Sequence, residues 1–111
     1  MLEQVIRNLE INAVHAMGNQ GILKIKTGFS ENKSYIEFSI VDTGHGISND
    51  KRHQIFLPFY TTKEKGKGTG LGMYIVKQIV DQHNGYIILE SKIGVGTNVT
   101  VGLAVIKDTD N

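Results

Sequence analysis

The run Lys65-Gly66-Lys67-Gly68-Thr69-Gly70-Leu71-Gly72 puts glycine at every second position and leads into Leu71, Ile75, Val76, Ile79 and Val80, apolar residues at helical spacing. The pattern predicts a helix whose entry is glycine-rich. A helix start carries unpaired backbone N–H groups and the positive end of the peptide dipoles, and residues without side chains let an anion come close to those amides. The phosphates of a nucleotide suit such a place. Glycine also serves any flexible turn, so the run taken alone leaves both explanations open. Residues 51–67 add five cations (Lys51, Arg52, Lys63, Lys65, Lys67) against one anion, Glu64, a net +4 beside the glycines. That charge either attracts phosphate or only solvates a loop.

Working outward, Leu2, Val5, Ile6, Leu9, Ala13 and Ala16 predict an amphipathic helix over residues 2–17, with Gly18 placed to end it. A chain that opens inside its first helix is expected to be part of a longer protein. Residues 22–27 and 35–41 predict two strands joined by the turn Ser30-Glu31-Asn32-Lys33; in the second, Ile36, Phe38 and Ile40 alternate with Glu37 and Ser39. Residues 43–69 are expected to form a long loop holding one short helix near residues 50–56, and a loop of that length is usually a functional lid or disordered. The second helix should stop at Asn84-Gly85. Residues 86–90 and 98–105 then predict another strand pair around Gly94-Val95-Gly96-Thr97, ahead of a frayed tail at 107–111. Helix, strand, strand, lid, helix, strand, strand implies an α/β sandwich of two layers, with the helices on one face of the sheet.

The 111 residues, 40% of them hydrophobic, make one domain with a modest core. The net charge of +1 gives no reason to expect nucleic acid or a membrane surface as partner. The absence of cysteine excludes disulfides, thiolate catalysis and Cys-type zinc sites. No run has the length of a membrane helix, and Met1-Leu2-Glu3-Gln4 lacks the form of a signal peptide. A cytoplasmic location is expected.

Asn8, Asn12 and His15 lie four and three apart on the first helix, forming one polar stripe beside its apolar face. Asparagine is a poor helix former, so the pair implies either a ligand-facing role or a tolerant solvated face. The amide oxygen of Asn12 can complete a Mg²⁺ shell that already holds phosphate oxygens and water. In Asp42-Thr43-Gly44-His45-Gly46-Ile47 the aspartate stands at the outgoing end of a strand. Its carboxylate can accept the exocyclic amine of adenine and would repel the carbonyl oxygen of guanine, while the two glycines would let the backbone pass flat under the base. An Asp-initiated turn is the alternative. Gly66-Lys67 is followed by Gly68 rather than Ser or Thr, which rules out a P-loop, and the glycine run follows a loop rather than a strand, which disfavours a dinucleotide fold.

Together, Asn8-Leu9-x-x-Asn12-Ala13, Asp42-x-Gly44-x-Gly46, Phe56-x-Pro58-Phe59-Tyr60-Thr61-Thr62-Lys63, Gly68-Thr69-Gly70-Leu71-Gly72 and Gly96-Thr97 resemble, in order and spacing, the N, G1, F and G2 boxes and closing Gly-Thr of sensor histidine kinases. The chain is similar over nearly its whole length to their catalytic ATP-binding domain, and most like the nitrogen-sensor and sporulation kinases. The resemblance implies a Bergerat-type sandwich with a mixed sheet of about five strands, residues 1–111 being the catalytic domain. It implies ATP and Mg²⁺ as ligands. Asp42 would hold the adenine amine with help from Thr97 through water, beside Gly44, Gly46 and Ile47. Asn12 would hold the metal, with Asn8 and His15 near it. Lys63 would reach the phosphates, which Gly68, Thr69, Gly70, Leu71 and Gly72 would cradle.

Hydrolysing members of the superfamily carry glutamate where this chain has Asn8, and an amide cannot take a proton at neutral pH. This argues for transfer to a protein. None of His15, His45, His53 or His83 has the His-Glu/Asp-x-x-x-Pro setting of the phosphoacceptor, so the partner implied is a separate dimerisation domain bearing that histidine, with a response regulator downstream. The isolated chain is expected to be monomeric. A serine kinase of the anti-sigma type and an ATP-sensing module without transfer are the alternatives.

Overall fold

Val5, Leu9 and Ala13 recur every four residues and are all buried, so they form the inward ridge of α1 (Leu2–Met17). The computed structural model describes residues 2–18, 20–58 and 72–105. Within them α1 is followed by β1 (Leu23–Phe29), β2 (Tyr35–Asp42), two 3₁₀ turns at Asn49–Lys51 and Gln54–Phe56, α2 (Gly72–Gln82), β3 (Tyr86–Lys92) and β4 (Gly96–Ala104). The element order is the one expected. The expected short helix near residues 50–56 is instead this pair of 3₁₀ turns, and the tail at 107–111 lies outside the described residues.

α2 stops where the sequence placed its end. Asn84 adopts φ +55°, and the N–H groups of Gly85 and Asn84 close back on the carbonyls of Val80 and Asp81 at 2.9 and 3.1 Å. This Schellman arrangement satisfies carbonyls that the helix end would leave bare.

The described strands form one sheet in the order β1-β2-β4-β3, every neighbouring pair antiparallel. In place of the expected mixed sheet of about five strands, the described residues form four antiparallel strands: β1–β2 and β3–β4 are hairpins, and β4 returns beside β2 after the crossover through α2. Phe38 and Ile40 of β2 stand beside Val101 and Val99 of β4, and with Val76, Ile79 and Val80 of α2 and the α1 ridge they make the core. Both helices lie on this face, which gives the expected two layers. Ile25 and Phe29 of β1 are on the same face yet 53% and 63% exposed. They pair with Ile40 and Ile36 in an outer strand that neither described helix buries.

The opposite face is polar and braced crosswise. Glu37, Gly102 and Tyr86 are successive register partners on β2, β4 and β3, and the Tyr86 ring lies over Gly102 so that its hydroxyl donates to the Glu37 carboxylate. Tyr35 meets that ring edge-on at 4.9 Å. The bond to Glu37, then burial and the negative charge, push the Tyr86 phenol from 10.0 up to about 12. Its neutral form is the one the fold favours, so this contribution to stability is complete below pH 10.0 and disappears as pH rises through about 12. Phenolate absorbance should show one tyrosine titrating near that upper value. In Gly102→Ala the new Cβ would lie 2.3 Å from Tyr86 Cζ, forcing the ring away. That variant should lose about 1–3 kcal/mol in urea unfolding, and its high-titrating tyrosine should return towards the ordinary range. An unchanged titration would show that the ring does not depend on Gly102.

Candidate functional site

The apolar ridge of α1 fixes where its polar residues point. Asn8 adjoins the ridge residue Leu9, and its Nδ2–H donates to the carbonyl of Gly72, the first residue of α2, at 3.4 Å. A Cβ added to Gly72 would stand 3.9 Å from both Asn8 Cγ and Asn12 Nδ2. Both asparagines are half-buried. The stripe therefore faces the start of α2, where amides and helix dipole favour an anion. His15 belongs to the last turn of α1 but is exposed, and its ring makes no hydrogen bond or ion pair among the described residues.

One turn beyond Asn12, the Ala16 carbonyl accepts the N–H of His45 at 3.1 Å. α1 thus touches α2 at Asn8 and the loop after β2 at Ala16. Eight residues separate these points, about 12 Å along the axis.

Asp42 is buried at the end of β2, and its Oδ1 accepts the Gly44 N–H at 2.8 Å. This is the Asx-turn geometry that the sequence allowed. It also holds the carboxylate at a fixed rotation and leaves Oδ2 for a ligand, so the turn and the ligand role are compatible. Thr97, equally buried, is the register partner of Asp42 on β4. The loop then crosses towards β3: Gly94 N–H donates to the His45 carbonyl at 2.9 Å, and Ile47 N–H to Ser91 Oγ at 2.7 Å. Gly46 has φ +79°, and a Cβ there would be 2.3 Å from the Lys92 carbonyl oxygen. Only glycine fits both the angle and the approach.

The structure brings Asn8, Asn12 and Gly72 together at one end and Asp42, Gly44, Gly46, Ile47 and Thr97 at the other. Lys63, Gly68, Thr69, Gly70 and Leu71 lie outside the described residues. Arg52, one of the five cations counted beside the glycine run, is half-buried and donates through Nη2 to the Leu89 carbonyl on β3. Its role there is to tie the 3₁₀ turns to the sheet. Ser91 carries no signal in the sequence, because a lone serine in a strand is marked only by what pairing places beside it.

Over residues 1–106 the chain matches the family described as histidine kinase-, DNA gyrase B-, and HSP90-like ATPase. It belongs to that family. It is 40% identical over 104 residues to sensor histidine kinase ZraS of Escherichia coli K12, a match covering 94% of this chain and 22% of ZraS. It is 43% identical over 104 residues to sporulation kinase D of Bacillus subtilis 168, covering 94% of this chain and 20% of that kinase. The chain therefore spans about a fifth of the length of these relatives. Among solved structures, full-length ShkA in complex with AMPPNP superposes with a TM-score of 0.81 at 27% identity, covering 92% of this chain and 21% of ShkA. The nucleotide-free catalytic domain of histidine kinase ThkA superposes at 0.79 with 33% identity, over 93% of this chain and 65% of that one. The fold is that of histidine kinase catalytic domains, and the family is one of ATP-binding domains. Among the described residues no helix is long and apolar enough to cross a membrane.

If the backbone at Gly46 is as constrained as its angle and neighbours indicate, Gly46→Ala should destabilise the chain by about 2 kcal/mol or more. Urea denaturation measures this. Unchanged stability would mean that the loop is not held against Lys92.

Proposed function

We propose that the chain binds Mg-ATP and donates its γ-phosphate to a histidine on a separate dimerisation domain, as the catalytic domain of a cytoplasmic two-component kinase signalling to a response regulator. The observation that carries this is the single stripe of α1 running from Gly72 at Asn8 to the Asp42 loop at Ala16. A base held by Asp42 and phosphates held at the α2 start would lie along it. The family membership and the AMPPNP bound to ShkA support nucleotide as the ligand.

The chemistry follows from the donors present. Asp42 Oδ2 accepts the adenine amine, with Thr97 beside it. Asn12 offers an amide oxygen to Mg²⁺, and among the described residues no group of three His, Cys, Asp or Glu side chains forms a metal site of its own. A metal here would be held largely by phosphate oxygens and water, to which one neutral oxygen is a suitable complement. Bound Mg²⁺ supplies charge neutralisation at the phosphates. The amides from Gly68 to Gly72, with Lys63, would hold the phosphates in line for the acceptor. Asn8 cannot act as a base, and its amide bonds Gly72. Water is thus left unactivated, and catalysis is positioning and electrostatics.

Calorimetry should find Mg-ATP binding by the chain, and Asp42→Ala should fold normally yet bind tenfold to a hundredfold or so more weakly, as expected for a lost hydrogen bond to a charged acceptor. Unchanged affinity in a folded variant would remove Asp42 from the site. With γ-labelled ATP, resolved under non-acidic conditions, this chain should carry no acid-labile label and should label a supplied phosphoacceptor domain. Acid-labile phosphate on the chain itself would contradict transfer to a separate histidine.

A further inference from the structure

Asp42, Thr97 and Ser91 stand in one row across β2, β4 and β3 as successive register partners. Ser91 Oγ accepts the Ile47 N–H at 2.7 Å, lies 2.8 Å from Thr97 Oγ1, and reaches the Gly96 carbonyl oxygen at 3.1 Å. A serine hydroxyl has one proton and two lone pairs. Ile47 occupies one lone pair, so the remaining variable is where the Ser91 proton points.

Two arrangements satisfy these distances. With the proton on Gly96, Thr97 must donate to Ser91 and shows the site only lone pairs. With the proton on Thr97, the Thr97 proton is released towards the site. The bond forgone in the second case is the longest of the three, beyond the usual O–H···O range, so the exchange is cheap. The Watson–Crick edge of adenine presents an amine donor beside an accepting N1. A carboxylate suits the first and a hydroxyl donor the second, directly or through one water.

We infer that Ser91 is a positioning residue which, by directing its proton to Thr97, makes Thr97 a donor to N1 and so selects purine rings whose N1 accepts. This rests on the adenine assignment above and extends it. Guanine fails twice, since Asp42 repels its O6 and its N1–H meets a second donor. Ile47 matters because its N–H fixes which lone pair of Ser91 remains.

The experiment measures Mg-ADP and 1-deaza-ADP, in which N1 is replaced by CH, binding to the full chain and to Ser91→Ala and Ser91→Thr. Ser91→Ala should bind ADP about five- to tenfold more weakly while its affinity for 1-deaza-ADP stays close to that of the unsubstituted chain. Ser91→Thr, which keeps the hydroxyl, should restore ADP affinity. Should Ser91→Ala fail to fold, Ser91→Cys with its weak S–H donor provides the same comparison. Equal loss for both nucleotides would show a merely structural serine, and no loss for ADP would show that Thr97 needs no partner; either overturns the inference. If the unsubstituted chain bound no ADP, the nucleotide assignment itself would fall, whereas loss in Asp42→Ala without loss in Ser91→Ala would overturn the role of Ser91 alone.

Discussion

The packing of α1 through Val5, Leu9 and Ala13 onto the sheet is the constraint on which the site depends. A helix offers about 100° of rotation per residue, so burying that ridge dictates the direction of every other side chain on the helix. Asn8 and Asn12 are neighbours of ridge residues in sequence, and once Leu9 and Ala13 face the core the amides must face the start of α2. Rotating the helix to free them would expose the ridge, at about 1.5–3 kcal/mol for each large apolar side chain. The core thereby enforces the geometry of the polar stripe.

At the other end the constraint is strand register. A slip of one residue would turn Thr97 to the opposite face and separate it from Asp42. The Glu37–Gly102–Tyr86 brace and the Ser39–Thr100 hydroxyl pair, 2.8 Å apart, pin that register from the opposite face. What looks like surface decoration behind the sheet therefore holds Asp42 and Thr97 in alignment.

Much of this was legible in the sequence because periodicity reports burial directly. The apolar spacing of residues 2–17 gave α1, Asn84-Gly85 marked the end of α2, and the alternation of Ile36, Phe38 and Ile40 gave β2 and its inward face. Asp42, Thr97 and the asparagines stand out in the sequence because their motifs occur in a set order. The contacts of Ser91 with Ile47, of Arg52 with the Leu89 carbonyl and of Tyr86 with Glu37 are not legible there, since each joins residues distant in sequence. Pairwise relations of that kind exist only after strands have paired. Ile25 and Phe29 share the inward face only through their pairing with Ile40 and Ile36, and their exposure follows from the position of β1 at the sheet edge, which no local pattern encodes.

The most direct test of one continuous site along α1 is a titration of the isotopically labelled chain with Mg-ADP, followed by amide and side-chain NH₂ resonances. The account predicts that the backbone amides of Gly44, Ile47 and Gly72 and the side-chain amides of Asn8 and Asn12 shift together with one dissociation constant, while Tyr35, Ser39 and Gly102 on the far face stay still. Shifts concentrated on the far face, or separate constants for the Asp42 end and the Gly72 end, would contradict it.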